Sequence, residues 1–493
     1  MTQTRDLTNV VAARLAAVRE SKAGNFREAA RLLEGPAAER PNDATLQLEY
    51  GNALVQAGAN EKAIAAFDRV IALNPKTVAA HTNRSYALNK LSRHVEAESA
   101  GRRAIELAPD DPAAANNLAH ALKLQGRFAE SAAILEPIVA RDPKRLEALN
   151  NLGDCRRALG RSDEAIAIFE QAIAINPDFA HAHVNRALCR LQAGEWQRGF
   201  EEYEWRFGLG LPLQHRGAAE PWMGNPEPHR TLYIETEQGH GDAIQFVRLA
   251  AAARKHVGRV MLMARRDQVA LLGGTAGIDG TVTKAEKLPV EALHVSLMSL
   301  PQRLHLDAQD FTMSGAYLTA DPARVARWRE WLAGLTGPGR RAIGLCWQGT
   351  PGIQPDLGRS MALDVLAPIG QLSDTVVVSL QKRDGLDQLS HLPSGMPVVT
   401  PPPGFDDGPD AFVDTAALMM SLDRIVSVDT AVSHLAGALA RPVSLLLRKI
   451  PDWRWGLTGT ETLWYPTMRL YRQDVDGDWT APVARLAADL AKR

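Results

Sequence analysis

The sequence predicts an all-α solenoid of short helical repeats followed by an α/β region with two lobes. Two patterns in the 493 residues indicate this fold class. Five prolines recur at a fixed interval of 34 residues: Pro41, Pro75, Pro109, Pro143 and Pro177. From residue 231 onwards, short apolar segments alternate with helical ones, which is typical of parallel sheets with crossover helices.

Small residues keep the same 34-residue step: Gly24, Gly58, Ser92, Gly126, Gly160 and Gly194. Within residues 146–179, apolar residues recur at helical spacing in two segments, and Asn176 before Pro177 ends the second one, because a residue before proline avoids the α region. A 34-residue helix–turn–helix with small residues and a terminal proline is the signature of the tetratricopeptide repeat. Such arrays usually present a concave surface to another protein, so we expect a protein partner.

Six units fit the repeat, beginning near residues 10, 44, 78, 112, 146 and 180. The last unit departs from the pattern after Gly194, where aromatic residues crowd its second helix: Trp196, Phe200, Tyr203, Trp205 and Phe207. We expect these aromatic side chains to join the array to the next domain. The proline-rich segment that follows predicts a linker.

The predicted domains are the repeat array at 1–213, a linker at 214–230, a first lobe at 231–335 and a second lobe at 336–493. Strands are predicted at 231–237, 259–265, 341–349, 375–381, 423–429 and 442–447. Two strand–helix–strand sets in series predict two Rossmann-like lobes that face each other across a cleft. The C-terminal residues predict a terminal helix.

The composition gives no reason to expect a nucleic-acid-binding, membrane-bound, disulfide-rich or secreted protein. A formal net charge of −1 gives no reason to expect nucleic-acid or membrane-surface binding. Three cysteines are too few for a disulfide framework, and Cys155 and Cys189, 34 residues apart, are predicted in equivalent helix cores. The N-terminal segment lacks the apolar core of a signal peptide, and no apolar run has the length of a membrane span. The expected compartment is the cytoplasm.

Residues 238–242 (QGHGD) directly follow a predicted strand and open a helix. The two glycines allow a ligand to approach the backbone closely, and the helix N-terminus favours an anion. A dinucleotide site is disfavoured, because Ile244 stands where the third glycine would be. Asp242 is either a general base that deprotonates an acceptor hydroxyl or an N-capping residue of the helix.

Residues 427–447 place Asp429 and Thr430 between a strand and a helix of small residues. Ligands bind at the carboxyl ends of parallel strands, and the backbone N–H groups at the start of this helix suit a diphosphate. The alternative is an N-cap with close helix packing at Gly437. A lone histidine such as His434 is more often structural than functional.

Three further segments lie where the edge of the cleft is predicted. Gln381 and Lys382 end a strand, and a lysine there suits phosphate charge; solvated residues at a strand end are the alternative. Residues 347–351 (WQGTP), followed by Arg359, lie where a nucleotide site of the second lobe would. Residues 452–456 (DWRWG) hold an arginine between two tryptophans that either stack a base or pack a corner.

The sequence lacks the common metal and nucleotide-hydrolysis motifs. It has no Cys-x-x-Cys, no His-Glu-x-x-His, no EF-hand loop, no P-loop and no nucleophile elbow. No metal and no resident cofactor are therefore expected, and hydrolase and kinase functions have little support.

Seven segments are distinctive together: YEWRF (203–207), EQGHGDAIQFVR (237–248), GLCWQGTP (344–351), RSM (359–361), VSLQK (378–382), SVDTAVSHLAGALARPV (427–443) and DWRWG (452–456). They resemble a bacterial family in which tetratricopeptide repeats precede a heptosyltransferase-like glycosyltransferase domain of the two-lobed GT-B type. Similar proteins include flagellin glycosyltransferases that recognise flagellin through their repeats. The resemblance implies a nucleotide-sugar donor and a protein acceptor.

The resemblance also implies roles for individual residues. Asp242 matches the expected catalytic base. The resemblance implies donor-phosphate binding by Lys382, Asp429, Thr430, Ala431 and His434. The position of Trp347, Gly349, Arg359 and Gln381 at the predicted cleft adds these four to the predicted donor site. The loop at 352–358 departs from the family, since Ile353 and Pro355 stand where similar sequences carry a His and an Asn or Arg. This departure leaves both the choice of donor and the activity open.

One more 34-residue series places an asparagine in four consecutive repeats: Asn83, Asn117, Asn151 and Asn185. Asparagine is a mediocre helix former, so the series needs a reason. A side-chain amide pairs with both groups of a peptide unit, so a ladder of amides on the concave face would hold an extended chain irrespective of its sequence. The O-linked N-acetylglucosamine transferases have a similar ladder. The alternative is hydrogen bonding between the repeats themselves.

The resulting expectation is a protein O-glycosyltransferase that moves a sugar to Ser or Thr of a protein bound by the repeats, flagellin or a similar surface protein. Two alternatives stay open. One is a glycosyltransferase for a lipid-linked or polysaccharide acceptor, and the other is a non-catalytic repeat scaffold or chaperone with a decayed transferase domain.

Overall fold

The computed structural model describes residues 2–210, 219–283, 287–312, 315–337, 339–351 and 357–492, with side chains from Asn9 onwards. The chain divides into two compact units, Met1–Ala182 and His183–Arg493. The first unit is helical, and the second contains the parallel sheets that the sequence pattern predicts.

Helices make up the first unit, and each packs against the next one along the chain. They are α1 (Thr2–Lys22), α2 (Phe26–Glu39), α3 (Ala44–Gln56), α4 (Asn60–Leu73), α5 (Val78–Lys90), α6 (His94–Leu107), α7 (Pro112–Leu124), α8 (Phe128–Arg141), α9 (Leu146–Ala158) and α10 (Ser162–Ile175). The first helices of successive repeats also contact one another, as α5 does α7 and α7 does α9. Helix α11 (Ala180–Gln192) spans the division, and α12 (Trp196–Tyr203) follows it.

The turn between the two helices of a repeat has a left-handed backbone. The angle φ lies between 75° and 80° at four glycines of the first unit: Gly24, Gly58, Gly126 and Gly160. Ser92, which interrupts the glycine series, keeps the same geometry with a φ of 59°. This conformation is strained for a residue with a Cβ and free for glycine. The series of small residues therefore marks the turns of the predicted repeats.

Close approach of two helices explains two further glycines. A Cβ added at Gly51 would lie 2.5 Å from the ring of Phe67, and a Cβ added at Gly153 would lie 2.5 Å from the ring of Phe169. Cys155, in the same helix as Gly153, is a buried free thiol, as the sequence pattern predicts. The cores of these repeats are therefore built from an aromatic ring seated on a glycine.

The second unit contains two sheets in which every pairing among the described strands is parallel. The first holds β1 (Glu220–Pro221), β2 (Glu227–Glu235), β3 (Val257–Met263), β4 (Gly280–Val282) and β5 (Leu293–Ser296). The second holds β6 (Arg341–Cys346), β7 (Thr375–Ser379), β8 (Val398–Val399), β9 (Arg424–Val428), β10 (Val443–Leu447) and β11 (Met468–Arg472). Both faces of the central strands are covered, which explains their continuous apolar sequences.

Helices connect these strands and cover the sheets. They are α13 (His240–Phe246), α14 (Ala250–Ala253), α15 (Arg266–Leu272), α16 (Leu300–Arg303), α17 (Ala308–Phe311), α18 (Pro322–Thr336), α19 (Ala367–Gly370), α20 (Val413–Met419), α21 (Ala431–Ala438) and α22 (Thr480–Ala491). The C-terminal helix α22 is the terminal helix that the sequence predicts.

The strand order positions the functional loops. It is β1-β5-β2-β3-β4 in the first sheet and β11-β10-β9-β6-β7-β8 in the second. The second is the 3-2-1-4-5-6 order of a doubly wound Rossmann sheet, and the first contains the 3-2-1-4 part of it with β1 added at the edge. The order reverses between β2 and β5 and between β6 and β9. In such sheets ligands bind beyond the carboxyl ends of the strands at these reversals.

The segment 214–230 differs from the linker that its prolines predict. It contains β1, which pairs with β5, and the first residues of β2, while residues 214–218 lie outside the described residues. The side chain of Trp222 is buried, and its indole N–H donates to the carbonyl of Asn225 at 2.8 Å. Proline is tolerated at a sheet edge because no neighbouring strand needs its missing N–H. The proline content therefore reflects an edge strand as well as a connection.

The second unit begins at His183, well ahead of residue 214, where the repeats were predicted to end. The reason is the aromatic face of α12. The ring centroid of Trp196 lies 5.5 Å from that of Trp464 in the second lobe. The ring centroid of Phe200 lies 6.1 Å from that of Phe246 and 5.7 Å from that of Phe311, both in the first lobe. Because α12 packs on both lobes, the last predicted repeat is part of the core of the α/β unit.

Replacing Phe200 by Ala should lower the free energy of unfolding of the second unit by about 3–5 kcal/mol, because a large cavity opens in this cluster. All 10 tryptophans lie in the second unit, so tryptophan fluorescence in a denaturant titration reports that unit selectively. The matched control is Phe67→Ala in the first unit, which should leave the tryptophan transition in place. A wild-type transition for Phe200→Ala would contradict the proposed role of α12.

Candidate functional site

Asp242 lies in the first turn of α13, after the loop that ends β2. Its Oδ2 accepts a hydrogen bond from the backbone N–H of Gly239 at 3.0 Å, so Asp242 does cap the helix. Its Oδ1 accepts a hydrogen bond from Nη2 of Arg454 in the second lobe. Burial raises the pKa of Asp242, whereas Arg454 and the Gly239 N–H lower it. Capping and pairing leave its role as a base a prediction.

The two lobes meet where α13 packs against α21. A Cβ added at Gly241 would lie 3.0 Å from Cδ2 of His434 and 3.8 Å from the Cα of Ala431. The lack of a side chain at Gly241, which was expected to allow close approach of a ligand, allows close approach of α21 from the other lobe. The loops predicted for the base and for the donor phosphates are therefore neighbours.

Asp429 and His434 form a buried pair at the start of α21. Nε2 of His434 is 4.0 Å from Oδ1 of Asp429, and Nδ1 is 2.9 Å from the hydroxyl oxygen of Tyr465. Burial raises the pKa of Asp429 to about 6, Asp452 adds to this shift, and Arg359 opposes it. Burial, followed by the nearby arginines, lowers the pKa of His434 well below its usual value, so the imidazole is neutral.

Thr430 precedes the first residue of α21 and turns its side chain towards the sheet. Its Oγ1 lies 3.2 Å from Oγ of Ser427 and 3.6 Å from Sγ of Cys346. Its hydroxyl makes no capping hydrogen bond to the helix. The first turn of a helix has N–H groups without intrahelical partners, so the backbone at Ala431, rather than the Thr430 hydroxyl, is suited to an anion.

Arg359 and Gly349 lie side by side after β6. A Cβ at Gly349 would be 2.3 Å from Nη2 of Arg359, and the Gly349 N–H donates to Oγ of Ser360 at 2.9 Å. The guanidinium is close enough to Asp429 and His434 to affect the pKa of both. Of the variant loop at 352–358, residues 352–356 lie outside the described residues.

Trp347 and Gln381, both predicted to bind the donor, support the loop after β6 from within the second lobe. The side chain of Trp347 is fully buried in the second lobe. Oε1 of Gln381 accepts from the N–H groups of Trp347 and Gln348, both at 3.1 Å, and Nε2 donates to the carbonyls of Gln348 and Asp384 at 2.9 and 2.8 Å. The amide of Gln381 is thus fully engaged with backbone.

Lys382 is half-exposed and already has an acidic partner. Its Nζ donates to Oδ1 of Asp407 at 2.7 Å and to the carbonyl of Phe405. Because Asp407 is 59% exposed, this pair is open to solvent and to a competing anion. The position suits the predicted phosphate contact, provided that the anion replaces Asp407.

The sequence did not predict the role of Arg206, which is 1% exposed. Its Nε and Nη2 donate to the two carboxylate oxygens of Glu237 at 3.1 and 2.8 Å, and Nη1 donates to Glu204 at 2.6 Å. In the next position, Nε2 of Gln238 donates to the hydroxyl of Tyr203 at 2.9 Å. The segment YEWRF (203–207) therefore fixes the start of the loop at residues 237–242. The sequence feature that could have indicated this role is the position of Arg206 among aromatic residues.

The asparagine series makes hydrogen bonds between repeats. Nδ2 of three members donates to the preceding repeat: Asn83 to Oδ1 of Asn52 at 2.7 Å, Asn117 to the carbonyl of Thr82 at 3.0 Å, and Asn151 to Oδ1 of Asn116 at 2.8 Å. Asn185 holds the equivalent place in α11. The Nδ2 groups of Asn83, Asn117 and Asn151 thus make the hydrogen bonds between repeats that were the alternative to peptide binding.

Two members of the series also line an open groove. A groove of about 450 Å³ on α3, α5 and α7 is bordered by Asn52, Asn83, Asn117 and Tyr86. All three asparagines are half-buried or exposed, and Tyr86 is 38% exposed. Inter-repeat bonding and contact with a bound chain are therefore compatible, because an amide has a second donor and further acceptor capacity.

The described residues contain neither a metal-binding cluster nor a membrane-spanning helix. No group of three or more His, Cys, Asp and Glu side chains within them is arranged to hold a metal ion. No helix in the same part of the chain combines the length and apolar character needed to cross a bilayer.

The helical region matches a known family. The tetratricopeptide-repeat family fits residues 15–76, 51–112, 116–178 and 156–204. The helical region is a tetratricopeptide-repeat solenoid. Arrays of this kind are protein-binding surfaces, which supports a protein-binding role for these repeats.

A longer similarity extends beyond the repeats. Protein FlbA of Caulobacter vibrioides is 27% identical over 333 residues, which cover 61% of this chain and 53% of FlbA. The chain thus spans about half the length of this curated relative. Because the described helices before the first sheet end at Leu209, a match over 61% of the chain extends into the α/β unit.

Several solved structures resemble part of the chain. They include YrrB, a TPR protein with an unusual peptide-binding site, at 18% identity, covering 36% of this chain and 91% of YrrB with a TM-score of 0.30. A tetratricopeptide repeat protein from Parabacteroides merdae has 18% identity, coverages of 41% and 78%, and a TM-score of 0.36. A thermophilic TPR protein from Thermus thermophilus has 20% identity, coverages of 36% and 98%, and a TM-score of 0.32.

Replacing Asp429 by Asn should stabilise the protein at neutral pH. Its pKa of about 6 in the folded chain lies above the ordinary value of 3.8, so the folded state binds this proton more tightly. The contribution of Asp429 to the wild-type free energy of unfolding is therefore fully present below about pH 4. It is lost as the pH rises through about 6. Denaturant titrations from pH 4 to 7.5 should give a variant–wild-type difference that grows with pH.

The matched control is Asp474→Asn, which removes an exposed carboxylate of the same lobe. Because its pair with Arg485 is open to solvent, this change should alter the free energy of unfolding by less than about 1 kcal/mol. A flat difference for Asp429→Asn would show that burial does not raise the pKa of Asp429.

Proposed function

We propose that the protein is a glycosyltransferase of the two-lobed GT-B type that transfers a sugar from a nucleotide-sugar donor to a Ser or Thr hydroxyl of a protein. The observation that carries the proposal is the packing of α13 on α21. It brings Asp242, beyond the carboxyl end of β2, near Asp429, beyond the carboxyl end of β9. A crevice between two sheets of Rossmann order, at the ends of their strands, is where ligands bind in such folds.

The second lobe provides the features that a donor diphosphate needs. The first turn of α21 offers backbone N–H groups and the positive end of a helix dipole. Arg359 lies near this turn, and Lys382 follows β7, which pairs with β6 in the same sheet. In the donor complex a phosphate would replace Asp407 as the partner of Lys382, since that pair is largely exposed. Gln381 and Trp347 support the loop around this site.

The proposed reaction is a displacement at the anomeric carbon. Asp242 accepts the proton of the acceptor hydroxyl, the hydroxyl oxygen bonds to the anomeric carbon, and the bond from that carbon to the phosphate oxygen breaks. The nucleoside diphosphate leaves with the bonding electrons. Lys382, Arg359 and the start of α21 stabilise the charge that develops on it.

The repeats are the proposed binding surface for the acceptor polypeptide. The groove at Asn83 and Asn117 combines amides with the exposed ring of Tyr86, which suits an extended peptide with an occasional apolar side chain. Flagellin or another surface protein is the proposed acceptor, following the family resemblance of the α/β region.

A protein-binding scaffold without transferase activity is the second candidate. It is favoured by the pairing of both key groups, Asp242 with Arg454 and Lys382 with Asp407. Calorimetry with nucleotide sugars separates the two, because a scaffold with a decayed cleft binds none. A transferase for a lipid-linked or polysaccharide acceptor would bind the donor but leave a co-expressed flagellin unmodified in intact-mass analysis.

Replacing Asp242 by Asn should reduce sugar transfer by about 100-fold or more, because the acceptor hydroxyl loses its base. The measurement is the intact mass of co-expressed flagellin together with the rate of nucleoside diphosphate release. Capture of the acceptor should be unchanged, since the repeats form a separate unit.

The matched control is Asp310→Asn, because Asp310 caps α17 with the same geometry, accepting from the N–H of Asp307 at 2.8 Å. It should transfer at the wild-type rate. A wild-type rate for Asp242→Asn would remove Asp242 from the mechanism.

Replacing the four asparagines Asn83, Asn117, Asn151 and Asn185 by Ala should weaken acceptor capture at least several-fold, because a bound chain loses its amide partners. The readout is acceptor binding by calorimetry, with circular dichroism following the helices. Gln171→Ala is the control, since this amide lies on α10, a second helix. Wild-type capture together with a lower unfolding midpoint would assign the series to solenoid stability alone.

A further inference from the structure

Arg454 reaches from the second lobe into the first. It lies in the short 3₁₀ turn Trp453–Trp455 that follows β10, and its side chain is only 9% exposed. Its three guanidinium nitrogens donate to three different side chains: Nε to Oε1 of Gln245, Nη1 to Oδ1 of Asp452 at 2.9 Å, and Nη2 to Oδ1 of Asp242. Two of these acceptors, Gln245 and Asp242, lie on α13 of the first lobe.

The turn that holds Arg454 is fixed by its surroundings. The guanidinium lies 4.4 Å from the centroid of the Trp453 ring and 5.8 Å from that of Phe246. The indole N–H of Trp464 donates to the carbonyl of Arg454 at 2.8 Å, and Arg472 donates to the carbonyl of Gly456 at 3.0 Å. The guanidinium is therefore held in one orientation, with its fork aimed at α13.

Burial and two nearby carboxylates oppose the ionisation of Asp242. The titratable and charged groups that face it are Arg454 and Asp452 from the 452–456 turn, Glu237 from the loop after β2, Tyr203 from α12 and His434 from α21. Burial raises the pKa of Asp242, and the carboxylates of Asp452 and Glu237 act in the same direction. His434 is neutral, so Arg454 is the cation in this set, and a buried carboxylate without a cation takes up a proton.

We propose that Arg454 is a positioning residue that keeps Asp242 ionised and oriented, so that the base of the first lobe is completed by the second. The base is competent only while the 452–456 turn is seated on α13. Docking of the lobe that holds the donor is thereby coupled to readiness for proton transfer. The kinetic part of this inference rests on the proposed transferase function, whereas the ionisation of Asp242 does not.

The ionisation is tested on the full chain without substrate. A water-soluble carbodiimide with an amine nucleophile modifies protonated carboxyl groups, and peptide mass spectrometry gives the extent at Asp242 as a function of pH. In Arg454→Met the labelling midpoint of Asp242 should shift to higher pH. Arg454→Lys, which keeps the charge, should restore the wild-type midpoint. A wild-type midpoint in Arg454→Met overturns the proposal.

The matched control is Arg324→Met, which breaks another partly buried pair, that of Arg324 with Asp414 at 2.8 Å, away from α13. It should leave the midpoint of Asp242 unchanged. If Arg454→Met lacks the wild-type unfolding transition, Arg454→Gln, which keeps a hydrogen-bond donor without the charge, replaces it, and its midpoint should also rise.

Kinetics then separate positioning from ionisation. Arg454→Lys should keep the wild-type pH profile but lose about 10-fold in kcat, because an ammonium lacks the planar fork that holds Asp242 and Gln245 together. The donor KM should change less than kcat. A kcat for Arg454→Lys equal to wild type would overturn the positioning role. If the wild-type protein transfers no sugar, the proposed function fails, while the labelling midpoints still decide the role of Arg454.

Discussion

Two buried arginines organise the second unit, and both satisfy the same electrostatic constraint. A guanidinium taken out of water needs partners in good geometry, because a buried charge left unpaired costs several kcal/mol. Arg206 meets this constraint with Glu204 and Glu237, and Arg454 meets it with Asp242 and Asp452. The partners lie on different elements, so the loop after β2 is fixed at its start by one arginine and at its end by the other.

The repeats and the parallel sheets were predictable because both have local signatures. A turn that needs a left-handed residue selects Gly, and in one place Ser92, at every repeat. A strand covered on both faces selects a continuous apolar run. Strands of two residues, such as β1 and β8, have no such signature, since they are defined by pairing with a distant neighbour. The start of the second unit at His183 has no such signature for the same reason: it depends on what the aromatic face of α12 packs against.

The candidate site was predictable to the level of strand ends. Asp242, Asp429 and His434 come together because parallel strands of one sheet end at the same edge and the two lobes pack there. A pattern does not specify which way a side chain faces, and Gln381 faces the backbone that it supports. Nor does it specify partners far apart in the chain. Arg454 and Asp242 are 212 residues apart, and only the tertiary structure relates them.

The hydrogen bonds that the asparagine side chains make between repeats bear on the spacing of the helices. They link each repeat to the one before it at Asn83, Asn117 and Asn151, and so they fix the distance between successive first helices. Packed helices lie about 8–10 Å apart, and an extended chain advances about 3.3 Å per residue. A polypeptide laid across these helices would meet one asparagine about every third residue. The array would thus contact a bound chain at intervals of about three residues.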